Sequence, residues 1–205
     1  MAMLKYSVIV LAVMVFTVCR GVLVNVKSCS KNSSDDIIKV RSLNIDPFPM
    51  VVPGAISMSM VSDVLKPIDG NLRAEVVVKR KLGPGWITIP CFNDIGSCTH
   101  PDVCSYLQNL ATKGCPRIFK EMNISCSCPI PAGTYTLPHY SFRVDSSFFG
   151  INFPILAGEY QANVRFTDTN TQKVVGCFDM EAKLIDPPSS SIMSRVGDFF
   201  SRLFG

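Results

Sequence analysis

Little in this chain of 205 residues suits catalysis: it has two histidines, one tryptophan, no Gly-x-Ser-x-Gly elbow and no glycine-rich phosphate loop. Without the elbow a hydrolase lacks its nucleophile motif, and without the loop a nucleotide lacks its cradle. His100 and His139 follow Thr99 and Pro138, places that suit surface or capping residues better than a general base. Charge of one sign is scarce too. The chain carries 20 Lys and Arg against 16 Asp and Glu, and loss of a leader holding Lys5 and Arg20 leaves 18 against 16, or +2. That surplus is too weak to point to nucleic acid. Internal repeats, charge runs and long linkers are also missing.

What is present begins with a leader. Met1 to Lys5 gives a positive start, Val8 to Val18 is apolar apart from Thr17, and small or polar residues follow around Cys19 to Gly21. This pattern predicts a signal peptide over 1–21. The apolar run is half the roughly 20 residues that a membrane span needs, and no second run reaches that length. The leader removes Cys19 from the set of nine and leaves Cys29, Cys91, Cys98, Cys104, Cys115, Cys126, Cys128 and Cys177. An even set in a secreted chain reads as a disulfide framework. Residues 22–186 suit one domain with a sizeable core. Pro187, Pro188 and the serines after them mark its boundary, so 187–205 form a linker and a separate tail.

Period-two alternation dominates that domain and predicts an all-β, antiparallel fold with one wet face per sheet. It is clearest in Tyr160, Ala162, Val164 and Phe166, and again in Phe178, Met180, Ala182 and Leu184. Ile56, Met58 and Met60 repeat it, as do Leu72, Ala74, Val76 and Val78, and Tyr140, Phe142 and Val144. Trp86 to Ile89 adds a short strand, and Ile38 to Ile45 a less regular one. By this parity Cys177 shares a face with Asp179, Glu181 and Lys183, so a bridge there ties a segment across the outer surface. One stretch is helical instead. Thr99 is placed to cap it, Pro101 and Asp102 suit the first turn, Val103, Leu107 and Leu110 recur at helical spacing, and Gly114 ends it. Four cysteines surround this helix and imply a stapled region. Zinc is the rival reading of Cys126-Ser127-Cys128, but thiolate sites favour a two-residue spacer, so no metal is expected.

Several strings together resemble one family. They are Ile89-Pro90-Cys91, Ile95-Gly96-Ser97-Cys98-Thr99, Cys115-Pro116, Cys126-Ser127-Cys128-Pro129, Gly133-Thr134-Tyr135-Thr136-Leu137-Pro138, Gly158-Glu159-Tyr160 and Gly176-Cys177. With Cys104, Arg41-Ser42-Leu43 and Val52-Pro53-Gly54 they are similar to the lysosomal ganglioside activators, a family of sphingolipid activators. The resemblance runs from about Cys29 to Leu184. It implies an antiparallel β-cup enclosing an apolar lipid cavity whose rim meets a membrane. It also implies the pairs Cys29 to Cys177, Cys91 to Cys98, Cys104 to Cys128, and Cys115 to Cys126.

In such a cup the inner wall falls to Met58, Met60, Val76, Val78, Phe142, Val144, Ala162, Val164, Phe166, Phe178 and Met180. Methionine and phenylalanine adapt to flexible chains, although the same alternation also suits an ordinary filled core. Phe148, Phe149, Ile151, Phe153, Ile155 and Leu156 lie between two strands at an apolar density too high for an ordinary exposed loop. With Trp86 they are the candidates for a mouth or membrane loop; packing on the protein's own core is the other reading. In the tail Ile192, Val196, Phe199, Phe200 and Leu203 gather on one side of a helical wheel. That makes a short C-terminal amphipathic helix for a membrane interface or for docking on the domain. Asn32-Ser33-Ser34 and Asn123-Ile124-Ser125 are glycosylation sequons at Asn32 and Asn123. The family's sequon after Pro-Gly is replaced here by Ala55.

The resulting expectation is a secreted or lysosomal carrier with no cofactor and no enzymatic activity. It would lift a glycolipid, sphingolipid or phospholipid from a membrane surface and present it to a lysosomal glycosidase or another membrane. Two other classes remain, a secreted membrane-active or defence protein acting through the tail, and a small secreted hydrolase.

Overall fold

Strand alternation becomes two facing sheets. The computed structural model describes residues 22–23, 26–144 and 157–187. The signal peptide expected over 1–21, the loop residues Phe148, Phe149, Ile151, Phe153, Ile155 and Leu156, and the tail residues Ile192, Val196, Phe199, Phe200 and Leu203 lie outside these. One sheet orders β1 (Val22–Leu23), β3 (Ile38–Asp46), β5 (Gly54–Val64) and β9 (Gly133–Val144). The other orders β2 (Lys27–Ser28), β11 (Val174–Ile185), β10 (Gly158–Asp168), β6 (Leu72–Leu82) and β7 (Gly85–Thr88). All these pairings are antiparallel; β8 (Thr99–His100) adds to β6, and β4 (Met50–Val51) runs parallel to the end of β11.

Two bulges keep the first sheet's apolar residues pointing inward. Around Arg41 the register of β3 on β5 slips by one residue, so Val40 and Leu43 both face the interior although their numbers differ in parity. Around Pro138 and His139 a second slip does the same for Leu137 and Tyr140. The slip at Arg41 is why 38–45 read as irregular.

The helix forms at α1 (Val103–Thr112) with Leu107 buried, but its cap is Asp102, whose carboxylate accepts from the Cys104 N–H at 3.0 Å. Thr99 does not cap it, because Thr99 pairs with Glu75 as part of β8. A second helix, α2 (Arg117–Glu121), was not foreseen; at five residues it is too short to show a period. The four disulfides join Cys29 to Cys177, Cys91 to Cys98, Cys104 to Cys128, and Cys115 to Cys126, the pairing that the resemblance implied. Cys177 keeps the parity of Asp179 and Glu181, yet it is only 1% exposed rather than lying on open surface. The reason is local cover: β2 runs alongside β11, and the Asn163 amide nitrogen sits 3.2 Å from the Cys29 sulfur.

Candidate functional site

The buried core is split. One cluster joins Val64 and Tyr135 of the first sheet to Leu72, Phe166 and Val175 of the second, with Leu107 of α1 and Ile68 and Ile130 sealing that end. A second cluster joins Ile45, Ile56, Phe142 and Val144 to Leu184, Val52 and Met50 at the opposite end. The two clusters therefore hold the sheets together at both ends of the interior.

Between them the cross-strand register sets rows of apolar side chains on the inward face of the second sheet. Val76, Val164 and Phe178 form one row, and Val78, Ala162 and Met180 the next. Ile45, Met58 and Tyr140 form a row on the first sheet, as do Leu43, Met60 and Leu137. Of the eleven inner-wall candidates, only Val144 and Phe178 are buried. Met58, Met60, Val76, Val78, Phe142, Ala162, Val164, Phe166 and Met180 are only partly buried although they lie in phase with the core. Interiors pack at crystal-like density, and residues central to a filled core would be more deeply covered than those at its ends. Here Leu43, Leu137 and Phe178 are buried, whereas their row neighbours Met58, Met60, Val76, Val78, Ala162, Val164 and Met180 are only partly covered. Aliphatic, methionine and phenylalanine side chains in that zone have no polar groups that need partners, so the surface suits a hydrocarbon guest.

The next inward row changes character. Ile87, Arg80, Tyr160 and Ala182 stand side by side, one step beyond Val78 and Ala162. Arg80 donates through Nη2 to the Ala157 carbonyl at 2.8 Å and lies 6.0 Å from the centre of the Tyr160 ring. Burial pushes the Tyr160 hydroxyl up from its ordinary pKa, with the Arg80 charge acting in the opposite direction. Arg80 is the inward residue that the sequence reading missed. It was visible as a basic residue in phase with Leu72, Ala74, Val76 and Val78.

Trp86 pairs with Lys81, so it falls on the outward face with Lys81, Glu159 and Lys183, while its neighbour Ile87 belongs to the inward row. Lys81 donates to the Glu159 carboxylate at 2.7 Å, and that bond holds the Glu159 carboxyl below its ordinary pKa. The β6–β7 edge is nevertheless greasy: Leu82, Trp86, Ile87, Phe92 and Ile95 are all exposed, Phe92 at 64%. Phe92 and Ile95 exchange backbone hydrogen bonds across an Asn93-Asp94 turn inside the ring closed by Cys91 and Cys98. Positive φ at both turn residues identifies a type I′ hairpin turn. The rest of this strip was not foreseen, because exposure of an isolated apolar residue leaves no periodic signal.

Elsewhere, His100 stacks on Tyr106 with ring centres 3.9 Å apart, and His139 meets the Ser141 hydroxyl at 3.0 Å. Neither forms a nucleophile–base–carboxylate array among the described residues. Asn32 and Asn123 are both exposed.

The ML domain description matches residues 23–184. Over 149 residues the chain is 32% identical to the ganglioside GM2 activator of Macaca fascicularis, covering 71% of this chain and 75% of that protein. It is 27% identical over 159 residues to the ganglioside GM2 activator of Mus musculus, covering 77% and 79%. A solved Niemann-Pick type C2 protein from Japanese carpenter ant superposes with a TM-score of 0.41 at 13% identity, covering 78% of this chain and 99% of that one.

Proposed function

Because this chain belongs to the ML-domain family and to the ganglioside activator family, we propose that it is a non-enzymatic lipid carrier of the secretory or lysosomal lumen. It takes the hydrocarbon part of a membrane lipid between its two sheets and presents the head group to a hydrolase or to another membrane. The observation that carries this reading is the incompletely covered apolar face of the second sheet, where Val76, Val78, Ala162, Val164 and Met180 stay only partly buried between two packed clusters. Withdrawing a lipid is favourable when the cup replaces the bilayer's apolar surroundings. Each acyl methylene kept from water is worth about 0.8 kcal/mol, so a chain of about 16 carbons supplies roughly 10 kcal/mol or more before ordering costs.

The exposed strip of Leu82, Trp86, Ile87, Phe92 and Ile95 supports a membrane surface as the place of loading. Tryptophan at the edge of an apolar patch suits the interface between lipid tails and water. The paired cysteines support an oxidising compartment, and exposed Asn32 and Asn123 are accessible to glycosylation there.

Solvent extraction of the purified, disulfide-bonded protein followed by mass analysis tests the reading. A carrier releases close to one lipid per chain; protein that was produced in contact with membranes and yields none would overturn it.

A further inference from the structure

Three polar side-chain atoms are buried without a hydrogen-bond partner among the described residues: the Asn44 amide oxygen, Arg73 Nε and Arg80 Nε. Asn44 and Arg73 lie on outward faces, and Arg73 has Glu75 at 3.6 Å. Arg80 differs in both respects. It stands in the inward row beyond Val78, and no carboxylate pairs with it among the described residues.

Its guanidinium is held in place by neutral groups. Nη2 is bonded to the Ala157 carbonyl, the Tyr160 ring lies beside the charge, and a Cβ on Gly158 would come within 3.2 Å of Nε. Those contacts fix its direction and bring no compensating negative charge among the described residues. A cation on an otherwise apolar wall is costly unless an anion joins it, and the attraction strengthens when a hydrocarbon chain displaces the water nearby. Guanidinium is the side chain best matched to carboxylate and phosphate oxygens.

Resting on the lipid-carrier reading, we propose that Arg80 is an anion-selecting subsite at the head-group end of the apolar interior. It takes the oxyanion of a lipid whose tail lies along Val78, Ala162 and Met180. The shared chemistry is a negatively charged oxygen group in the lipid head group, supplied either by a phosphodiester or by a sugar-borne carboxylate.

The test uses the full disulfide-bonded chain after signal removal, incubated with phosphatidylcholine vesicles holding equal parts of phosphatidylglycerol, lactosylceramide and sialyl-lactosylceramide. Bound lipids are then counted by mass analysis. Two ratios, corrected for vesicle composition, are read: phosphatidylglycerol over phosphatidylcholine, and sialyl-lactosylceramide over lactosylceramide. The wild type favours the anionic member of at least one pair by about tenfold, the scale of a charge-assisted hydrogen bond. The pair that responds identifies phosphate or carboxylate as the source. Arg80→Gln brings that ratio close to one, and Arg80→Lys, which keeps charge without the planar fork, retains part of it. Ratios near one in the wild type, or an undiminished ratio in Arg80→Gln, overturn the subsite while leaving a carrier intact. Wild-type protein that takes up no lipid from any vesicle overturns the carrier reading and the subsite with it. The wild-type ratios decide even if Arg80→Gln fails to fold.

Discussion

Asp63 shows how a single residue of β5 ties together three strands of the first sheet. It is 7% exposed, accepts a hydrogen bond from the Thr134 hydroxyl at 2.7 Å, and pairs with Arg41, the residue at the β3 bulge. The Thr134 bond, helped by Arg41, holds its carboxyl below the ordinary range against the opposing effect of burial. A carboxyl lowered in the folded state contributes stability that is complete above its unfolded pKa of about 3.9 and is lost as pH falls through the folded value. The difference in unfolding stability between wild type and Asp63→Asn is therefore constant from neutral pH down to about pH 5 and shrinks below about pH 4. Chemical denaturation across that range measures it. A difference that persists undiminished to about pH 2 would show that the charge on Asp63 is not what matters. Acidic compartments above pH 4 leave this tie intact.

At the scale of elements, the disulfides act on very different lengths of chain. Cys29 and Cys177 are 148 residues apart, whereas Cys91 and Cys98 are only 7 apart. Loop-closure entropy grows with the logarithm of that separation, giving about 5 kcal/mol for the long closure and about 2 kcal/mol for the short one. Denaturant unfolding of the paired serine variants should rank them in that order. A Cys91/Cys98 variant at least as destabilised as the Cys29/Cys177 variant would mean that the short ring holds native contacts, not just chain entropy. Gly96 is a candidate for such contacts: its φ is +101°, and a Cβ there would collide with the Pro90 carbonyl oxygen. Strand identity at this scale was legible, because Tyr160 to Phe166 and Phe178 to Leu184 keep a strict period of two. The bulges at Arg41 and Pro138 were not legible, since an inserted residue erases the period without supplying another. The helix cap moved from Thr99 to Asp102 because pairing with β6, a long-range contact, outweighed a local capping preference.

For the whole molecule, the issue is whether the interior is filled or receives a guest. The alternation in the sequence put the candidates from Met58 to Met180 on one face of each strand, and that face is in phase with the buried clusters. It held no record of burial depth, because a period of two reports which face a residue occupies and not what stands opposite. Arg80 was readable as a break in an apolar series, but that no carboxylate pairs with it among the described residues depends on neighbours distant in the chain. Ala162, in the middle row between Val78 and Met180, is the residue where the two accounts of the interior diverge most. The decisive measurement is native mass spectrometry of wild type and Ala162→Phe after incubation with lipid vesicles. If the interior receives lipid, the wild type gains the mass of one lipid, and the added ring lowers that occupancy with little loss of stability. A wild type that stays at its bare mass, with Ala162→Phe destabilised by the roughly 1–3 kcal/mol typical of an overpacked core, would contradict the account.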